Sequence, residues 1–444
     1  MMTMSTKAKA VGDIWSSGES YRNFLDLCDE AGGRFTGTES ETKARDLIAA
    51  RLDDYGLSNV HLEPVDYLSW KRIGAKLKLA CPMNRDLDSL AFTYSSPTPQ
   101  EGLETELVFI SEPTRDAFYD ASDRVDGRAV LTYVGNGVGP ACQSTHWASD
   151  LGAEALILMA NSYRSMQPAG SCRWNQPSPI PVMSISREDG EYINRINDAH
   201  GSVTVRFTVE SETSEGISHN VVADIPGRER QDEQVIIGAH YDGFDIAQSA
   251  IDNASGTATV MEAARALSQN RLECERTLRF VLFAAEELGM VGSQGYLDAH
   301  KAETDDISVM MTTDWPGYPA RYGLQLPFTE LEAPLGSSMQ GRGEVSTGLG
   351  MYSDHFPFMR KGVPTMWIGG QITGRDLEIY HTVFDTADKV PPRVLQDSAM
   401  LITSAAVDLA KMDRPAEHRT EGDIGRLLEE TGRTAALKAE GRWD

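Results

Sequence analysis

Apolar positions recur at helical spacing over residues 40–55, where Ala44, Leu47, Ile48, Leu52 and Tyr55 share one face. Thr38 and Glu41 supply a capping box ahead of this helix, and Gly56 a C-terminal cap. GGRFTGTES, before it, reads as a glycine-rich turn, so 40–55 is the first ordered element expected. VHLEPVDYLSW, after it, is β-like. Over residues 82–212 the texture changes. Short β-like runs (ELVFI, RAVLTYV, EALILM, PVMSIS) alternate with polar loops, and ACQSTHWASDLGA reads as a helix between two of them. From 217 onward, near-continuous apolar strands such as VIIGAHY and RTLRFVLFAA alternate with helices such as TATVMEAARALSQ, where Val260, Ala264 and Leu267 share a face. That alternation predicts an α/β fold with a mostly parallel sheet covered on both faces, a three-layer α/β/α domain. The expected organisation is one domain split into 14–81 and 217–412, a small α+β insertion over 82–212, and a charged tail or peripheral helix over 413–444. No internal repeat or low-complexity tract interrupts it.

Charge narrows the partners. The 444 residues carry 66 acidic against 41 basic side chains, a formal net charge of −25. Phosphate backbones and anionic lipid surfaces select basic faces, so neither nucleic acid nor membrane is expected as a partner. No stretch approaches the ~20 apolar residues that span a bilayer. The first residues lack an apolar core before a cleavage site, which predicts no secretory signal. Cys28, Cys81, Cys142, Cys172 and Cys274 are odd in number, widely spaced and without a Cys-x-x-Cys pair. Neither a disulfide framework nor a cysteine zinc site is expected, though Cys142 and Cys172 are the pair to watch for approach in space. A cytoplasmic setting fits these features.

The candidate chemistry sits at strand ends in the second half. His240 ends VIIGAH, Asp252 lies in IDNASG, Glu286 and Glu287 end FVLFAAEE, Asp314 ends SVMMTTD, and His381 follows PTMWIGG. In open α/β sheets, sites form outside the carboxyl ends of the strands, so these side chains are expected to converge. Taken singly, a strand-end histidine is usually a loop or core residue and paired glutamates a solvated face. Convergence is what raises the set above that. Imidazoles and carboxylates suit two divalent metals, zinc first, with manganese or cobalt also compatible. Asp252 has an oxygen for each metal. Asp242, in His-x-Asp spacing, is placed to hold the His240 imidazole in its ligating tautomer. Of the two adjacent glutamates, one ligates while the other handles protons; metal lowers the pKa of bound water towards ~7, within reach of a free carboxylate.

The segments NVVADIPG, VIIGAHYDG, IDNASGTA, FVLFAAEELGMVGSQGY, SDHFPFMRKGVPTMWI and YHTVFDTADKV resemble the co-catalytic zinc exopeptidases related to bacterial leucyl aminopeptidase, aminopeptidase S and plasma glutamate carboxypeptidase. The resemblance covers about 217–410, and 32–56 more loosely. It implies His240 and Asp314 on one metal, Glu287 and His381 on the other, and Asp252 bridging. Glu286 would then be the general acid/base and Asp242 the residue orienting His240. GRAVLTYVG, GAEALIL and PIPVMSISREDGEYI resemble the protease-associated domain inserted in this family, a lid or access element. TTDWPG departs from the more apolar context usual around the aspartate ligand, which implies an atypical pocket.

Other motifs carry less. VGNGVGP at 134–140 follows a strand but ends in Pro140, so the dinucleotide fingerprint is unmet. Ser353, Asp354 and His355 are adjacent, whereas triads assemble in space. His355 and Tyr380 are candidates for holding substrate or an oxyanion, with structural roles as the alternative. His61, His146, His200, His219, His300 and His418 have no support as ligands. The expected function is two-metal hydrolysis of an amide bond, an aminopeptidase acting on peptides or small amides. The competing readings are a carboxypeptidase or dipeptidase, an N-acyl amino-acid amidohydrolase, a glutaminyl-cyclase-like transferase that the second-metal ligand His240 disfavours, and a binding protein with a relic site. A symmetric homodimer is the compatible assembly.

Overall fold

The computed structural model describes residues 5–136, 139–271, 273–339, 344–370, 378–414 and 416–443. Gly137 and Val138 of the VGNGVGP loop lie outside the described residues. The described strands are β1 Ser58–Cys81, β2 Arg85–Leu87, β3 Ser89–Ala91, β4 Leu103–Phe109, β5 Ala129–Tyr133, β6 Ala155–Met159, β7 Val182–Ile185, β8 Thr204–Ile225, β9 Arg230–His240, β10 Arg276–Phe283, β11 Ile307–Asp314, β12 Ala320–Gln325, β13 Glu344–Gly348 and β14 Thr365–Gly370. They follow one path, β13-β12-β14-β11-β9-β10-β8-β4-β5-β6-β7-β3, with β1 paired to β8 and β2. At its centre β10, β9, β11 and β14 are parallel, as the alternation of strands and helices implies. β8 and β12 flank them antiparallel.

The reason lies in the period-two burial of these strands. Val235, Ile237 and Ala239 on β9, and Leu278, Phe280 and Leu282 on β10, pack into one core. Ile236, Val281 and Phe283 point the other way, into a smaller cluster with Tyr296, Leu297 and Phe358. A strand apolar on both faces needs a helical layer on each side. Helices Ser255–Gln269, Pro392–Ala410 and Thr6–Ser17 pack together on the first face, and Val291–Ala299 and His355–Arg360 cover the second. No helix among the described residues is long and apolar enough to cross a membrane.

The structure corrects the sequence reading in two places. Ordered structure begins well before residue 40, with helices Thr6–Ser17 and Ser20–Leu25. The first buries only Ala10 and Ile14, a stripe too narrow to register as an amphipathic pattern. The helix expected at 40–55 spans Glu39–Asp54, and Thr38 caps Glu41 N at 3.3 Å. The reciprocal half of the box is missing, because Glu41 accepts instead from Gly37 N at 2.7 Å, from Ser218 Oγ and from Tyr241 OH at 3.2 Å. β8, which carries residue 212, pairs with β1 from Ser58 to Cys81, so the sheet passes without a break from β10 towards β4. The last residues form helices Glu421–Glu430 and Thr434–Ala439, which bury Ile424, Leu428 and Leu437.

Candidate metal centre

The parallel run of β9, β10, β11 and β14 places four carboxyl ends on one sheet edge. His240 is the last residue of β9 and Asp314 the last of β11. Glu286 and Glu287 follow β10, Asp252 lies in the irregular turn before helix Ser255–Gln269, and His381 is in the loop after β14. Ala285, Trp315 and His381 take left-handed backbone with φ of 54°, 54° and 53°, so the chain turns sharply at His381 and beside Glu286 and Asp314.

Asp252 sits at the middle. Its Oδ1 lies 3.1 Å from His240 Nε2, and its Oδ2 lies 3.1 Å from His381 Nε2. Asp314 Oδ1 is 3.5 Å from His240 Nε2, and Glu287 Oε2 is 3.4 Å from His381 Nε2. Two triads result, His240–Asp252–Asp314 and Asp252–Glu287–His381, each able to present its ligand atoms to one ion. Glu286 stands outside both triads and lines the cleft beside them.

The fit to metal is chemical as well as geometric. Asp314 Oδ1 and Glu287 Oε1 are buried without a hydrogen-bond partner. Buried carboxylate oxygens are costly unless a cation completes them. Burial pulls His240 down, yet the nearby carboxylates of Asp242, Asp252 and Asp314 outweigh it and hold the imidazole well above its ordinary value. Burial, then the charge of Asp252, pushes Glu287 up to about 7. Burial also holds Glu286 well above the usual carboxylate range, opposed by His240 and reinforced by Asp354, Glu287 and Asp314. Negative charge is thus in excess here, and an imidazole–carboxylate donor set of this kind suits two divalent ions.

A further layer of residues fixes the ligands. Asp242 faces His240 Nδ1 at 3.4 Å, as the His-x-Asp spacing predicts. It also accepts from Glu286 N at 3.1 Å, Glu287 N at 3.2 Å and Thr36 Oγ1 at 3.2 Å, tying β9 to the glutamate turn. Asp385 accepts from Ile251 N at 2.7 Å and Asp252 N at 3.2 Å. Asn253 donates to Thr313 O at 2.9 Å and accepts from Gly256 N at 2.9 Å, joining the Asp252 turn to the end of β11. Arg34, fully buried, donates to the carbonyls of Tyr241, Gln248 and Ser249, each at 2.7 Å, and of Gly32 at 2.8 Å. Thr36, Arg34, Asn253 and Asp385 were missed as functional residues by the sequence reading. Arg34 and Thr36 lie in GGRFTG, where an arginine between glycines was the available signal.

Residues 169–175 of the intervening segment also reach the site. Ser171 Oγ donates to Glu287 O at 2.7 Å, Ala169 N to His381 O at 2.8 Å, and Asn175 N to Leu288 O at 2.9 Å. Trp174 lines the cleft together with Asp252, Glu286, Glu287, Met290, Asp314, Trp315, Tyr352 and Tyr380. Tyr380 stacks on His381, with ring centres 3.7 Å apart, and meets Trp315 edge-on at 5.1 Å. His355 is not among the described cleft residues. It is buried beside Gly350, and burial lowers it to about 4. His61 and His300 pair with Glu63, and His146 with Asp150, outside both triads. All five cysteines are free; Cys142 and Cys172 donate to the carbonyls of Ser171 and Thr93.

Residues 220–406 match the Peptidase family M28. The chain is 29% identical to Carboxypeptidase Q of Bos taurus over 304 residues, covering 66% of this chain and 64% of that protein, just under two thirds of its length. It is 26% identical to Aminopeptidase YwaD of Bacillus subtilis (strain 168) over 407 residues, 89% of this chain and 85% of that one. The solved structure of the Peptidase M28 precursor from Shewanella amazonensis SB2B superposes with a TM-score of 0.80 at 26% identity, covering 93% of this chain and 98% of that one. The likeness to zinc exopeptidases read from the segments between NVVADIPG and YHTVFDTADKV is borne out.

Proposed function

We propose that this chain, which carries the M28 peptidase match over residues 220–406, is a two-metal exopeptidase that hydrolyses an amide bond next to a free amino terminus. The observation that carries this reading is the division of the two Asp252 oxygens between His240 and His381, each within a complete triad. His240 and Asp314 would hold one ion, Glu287 and His381 the other, and Asp252 both. When bound, such a pair, zinc by its donor set, polarises the scissile carbonyl and acidifies water. Glu286, left free of both triads, takes the proton of the attacking water as the C–O bond forms. It returns that proton to the amine as the C–N bond breaks. Asp242 keeps His240 in its ligating tautomer and holds both glutamate backbones in place. Tyr380 lines the cleft beside the reacting carbonyl.

The preference for an amine end rests on the lining. Among its described residues are four carboxylates, four aromatic rings and Met290, and no lysine or arginine. Once metals offset the carboxylates, a substrate carboxylate would be desolvated there without a partner. The 29% identity to Carboxypeptidase Q supports the second reading, a carboxypeptidase or dipeptidase. We read residues 82–212 as a protease-associated-like insertion that brings Trp174 into the cleft lining. Replacing Glu286 with Gln tests the mechanism. Bound metal should remain while kcat falls by about 10²–10⁴-fold, the usual weight of a general base; undiminished turnover would overturn the assignment. Parallel assays on aminoacyl amides and N-acyl amino acids separate the two readings.

A further inference from the structure

Behind the cleft lies a side chain from the last described residues. Arg442 follows helix Thr434–Ala439, and its side chain is 8% exposed. Its Nη2 donates to Met351 O at 2.6 Å and meets Met290 Sδ at 3.6 Å, while Nη1 donates to Glu440 Oε2 at 3.1 Å. The guanidinium carbon lies 5.4 Å from the ring centres of both Trp174 and Tyr352, and 4.7 Å from that of Phe356. Glu440, fully buried, also accepts from Tyr352 OH at 2.7 Å and Gln143 Nε2 at 2.8 Å.

Trp174, Met290 and Tyr352 all line the cleft over Asp252, Glu286, Glu287 and Asp314. They come from three separate stretches: the intervening segment, the turn after β10 and the loop after β13. What they share is contact with Arg442. A planar guanidinium can stack on two rings and hydrogen-bond in its plane at once, which an ammonium cannot. A buried ion pair adds little net stability, but it fixes geometry. We infer that Arg442, anchored by Glu440, is a specificity-determining positioning residue. It sets Trp174, Met290 and Tyr352 as the back wall of the metal cleft, and so restricts the substrate side chain beside the metals to a small or medium apolar one. This rests on the exopeptidase reading above.

The test uses the full chain with L-alanyl, L-leucyl and L-phenylalanyl p-nitroanilides as probes. In Arg442→Ala the wall relaxes into the space vacated. The phenylalanyl-to-alanyl ratio of kcat/KM should then rise about tenfold, on the scale at which pocket size discriminates side chains. Alanyl kcat/KM should change less than phenylalanyl kcat/KM, and the Arg442→Lys ratio should fall between wild type and Arg442→Ala. In a Trp174→Ala background the same substitution should add under about half of that shift, because both act on one wall. An unchanged profile, or an equal fall for every substrate, overturns the inference. Hydrogen exchange over 171–176 and 350–353 reads the same contact without substrate. It should quicken in Arg442→Ala, and no change there overturns the wall. If the wild type cleaves none of the probes, the amino-terminal reading falls while the exchange result still decides the wall.

Discussion

The two ligand triads are held in different ways. His240 and Asp314 are the terminal residues of neighbouring parallel strands, so the hydrogen-bond ladder of β9 and β11 is enough to bring them together. Glu287 and His381 sit on irregular backbone, one after left-handed Ala285 and the other left-handed itself. Their carbonyls are tied down by Ser171 and Ala169, more than a hundred residues away in the chain. One half of the centre is therefore set mainly by the sheet and its own strand-end contacts. The other depends on the intervening segment, and the two meet at Asp252.

That difference can be broken outright at Asp252. Asp252→Ala removes the shared ligand and should release both metals, with turnover falling by roughly 10²–10³-fold or more, the scale of losing a principal electrostatic contact. Metal content per chain and kcat measured together check it; retention of one ion at full strength would mean that the triads are independent. Ser171→Ala is the sharper probe. It leaves His240, Asp252 and Asp314 untouched and frees only the Glu287 carbonyl. Metal affinity should fall about tenfold at one site, the low end for losing an orienting partner. Competitive chelation should show one weakened and one unchanged ion, whereas equal weakening would erase the distinction between the halves.

The same difference explains what the sequence made readable. His240, Asp314 and the glutamate pair each close a near-continuous apolar run, so strand ends and ligands were marked by one pattern, and the parallel sheet followed from it. His381 and Asp252 were marked less sharply, by loops that follow strands and not by the strand ends themselves. Arg34 gave little sign of its role, since a buried arginine bonded to carbonyls looks like any charged loop residue until the loops are folded. β1 and β8 were only partly visible: long stretches of both are exposed or half-buried, so no apolar alternation marks their length. Glu440 and Arg442 lie in a stretch whose charge suggested a tail. Only their burial against Tyr352 and Trp174 shows otherwise.

The weakest expected effect asks how far the support of the glutamate turn extends. Helix Val291–Ala299 starts just beyond Glu287, and His300 at its far end bonds Glu63 on β1 at 3.0 Å and Glu303 at 3.2 Å. The bond to Glu63 raises His300 above its ordinary value, against a smaller opposing effect of burial. A histidine raised on folding contributes stability that is complete below its unfolded pKa of about 6.5 and is lost as pH rises through the folded value. The side chain is partly open to water, so screening limits the contribution to a few tenths of a kcal/mol. Wild-type Tm should therefore decline slightly more than that of His300→Gln between about pH 6 and pH 8.5, with metal affinity the same in both proteins at each pH. If chelation then showed the Glu287–His381 ion weakening as His300 deprotonates, the dependence of that half-site on distant anchors would reach past the intervening segment to β1.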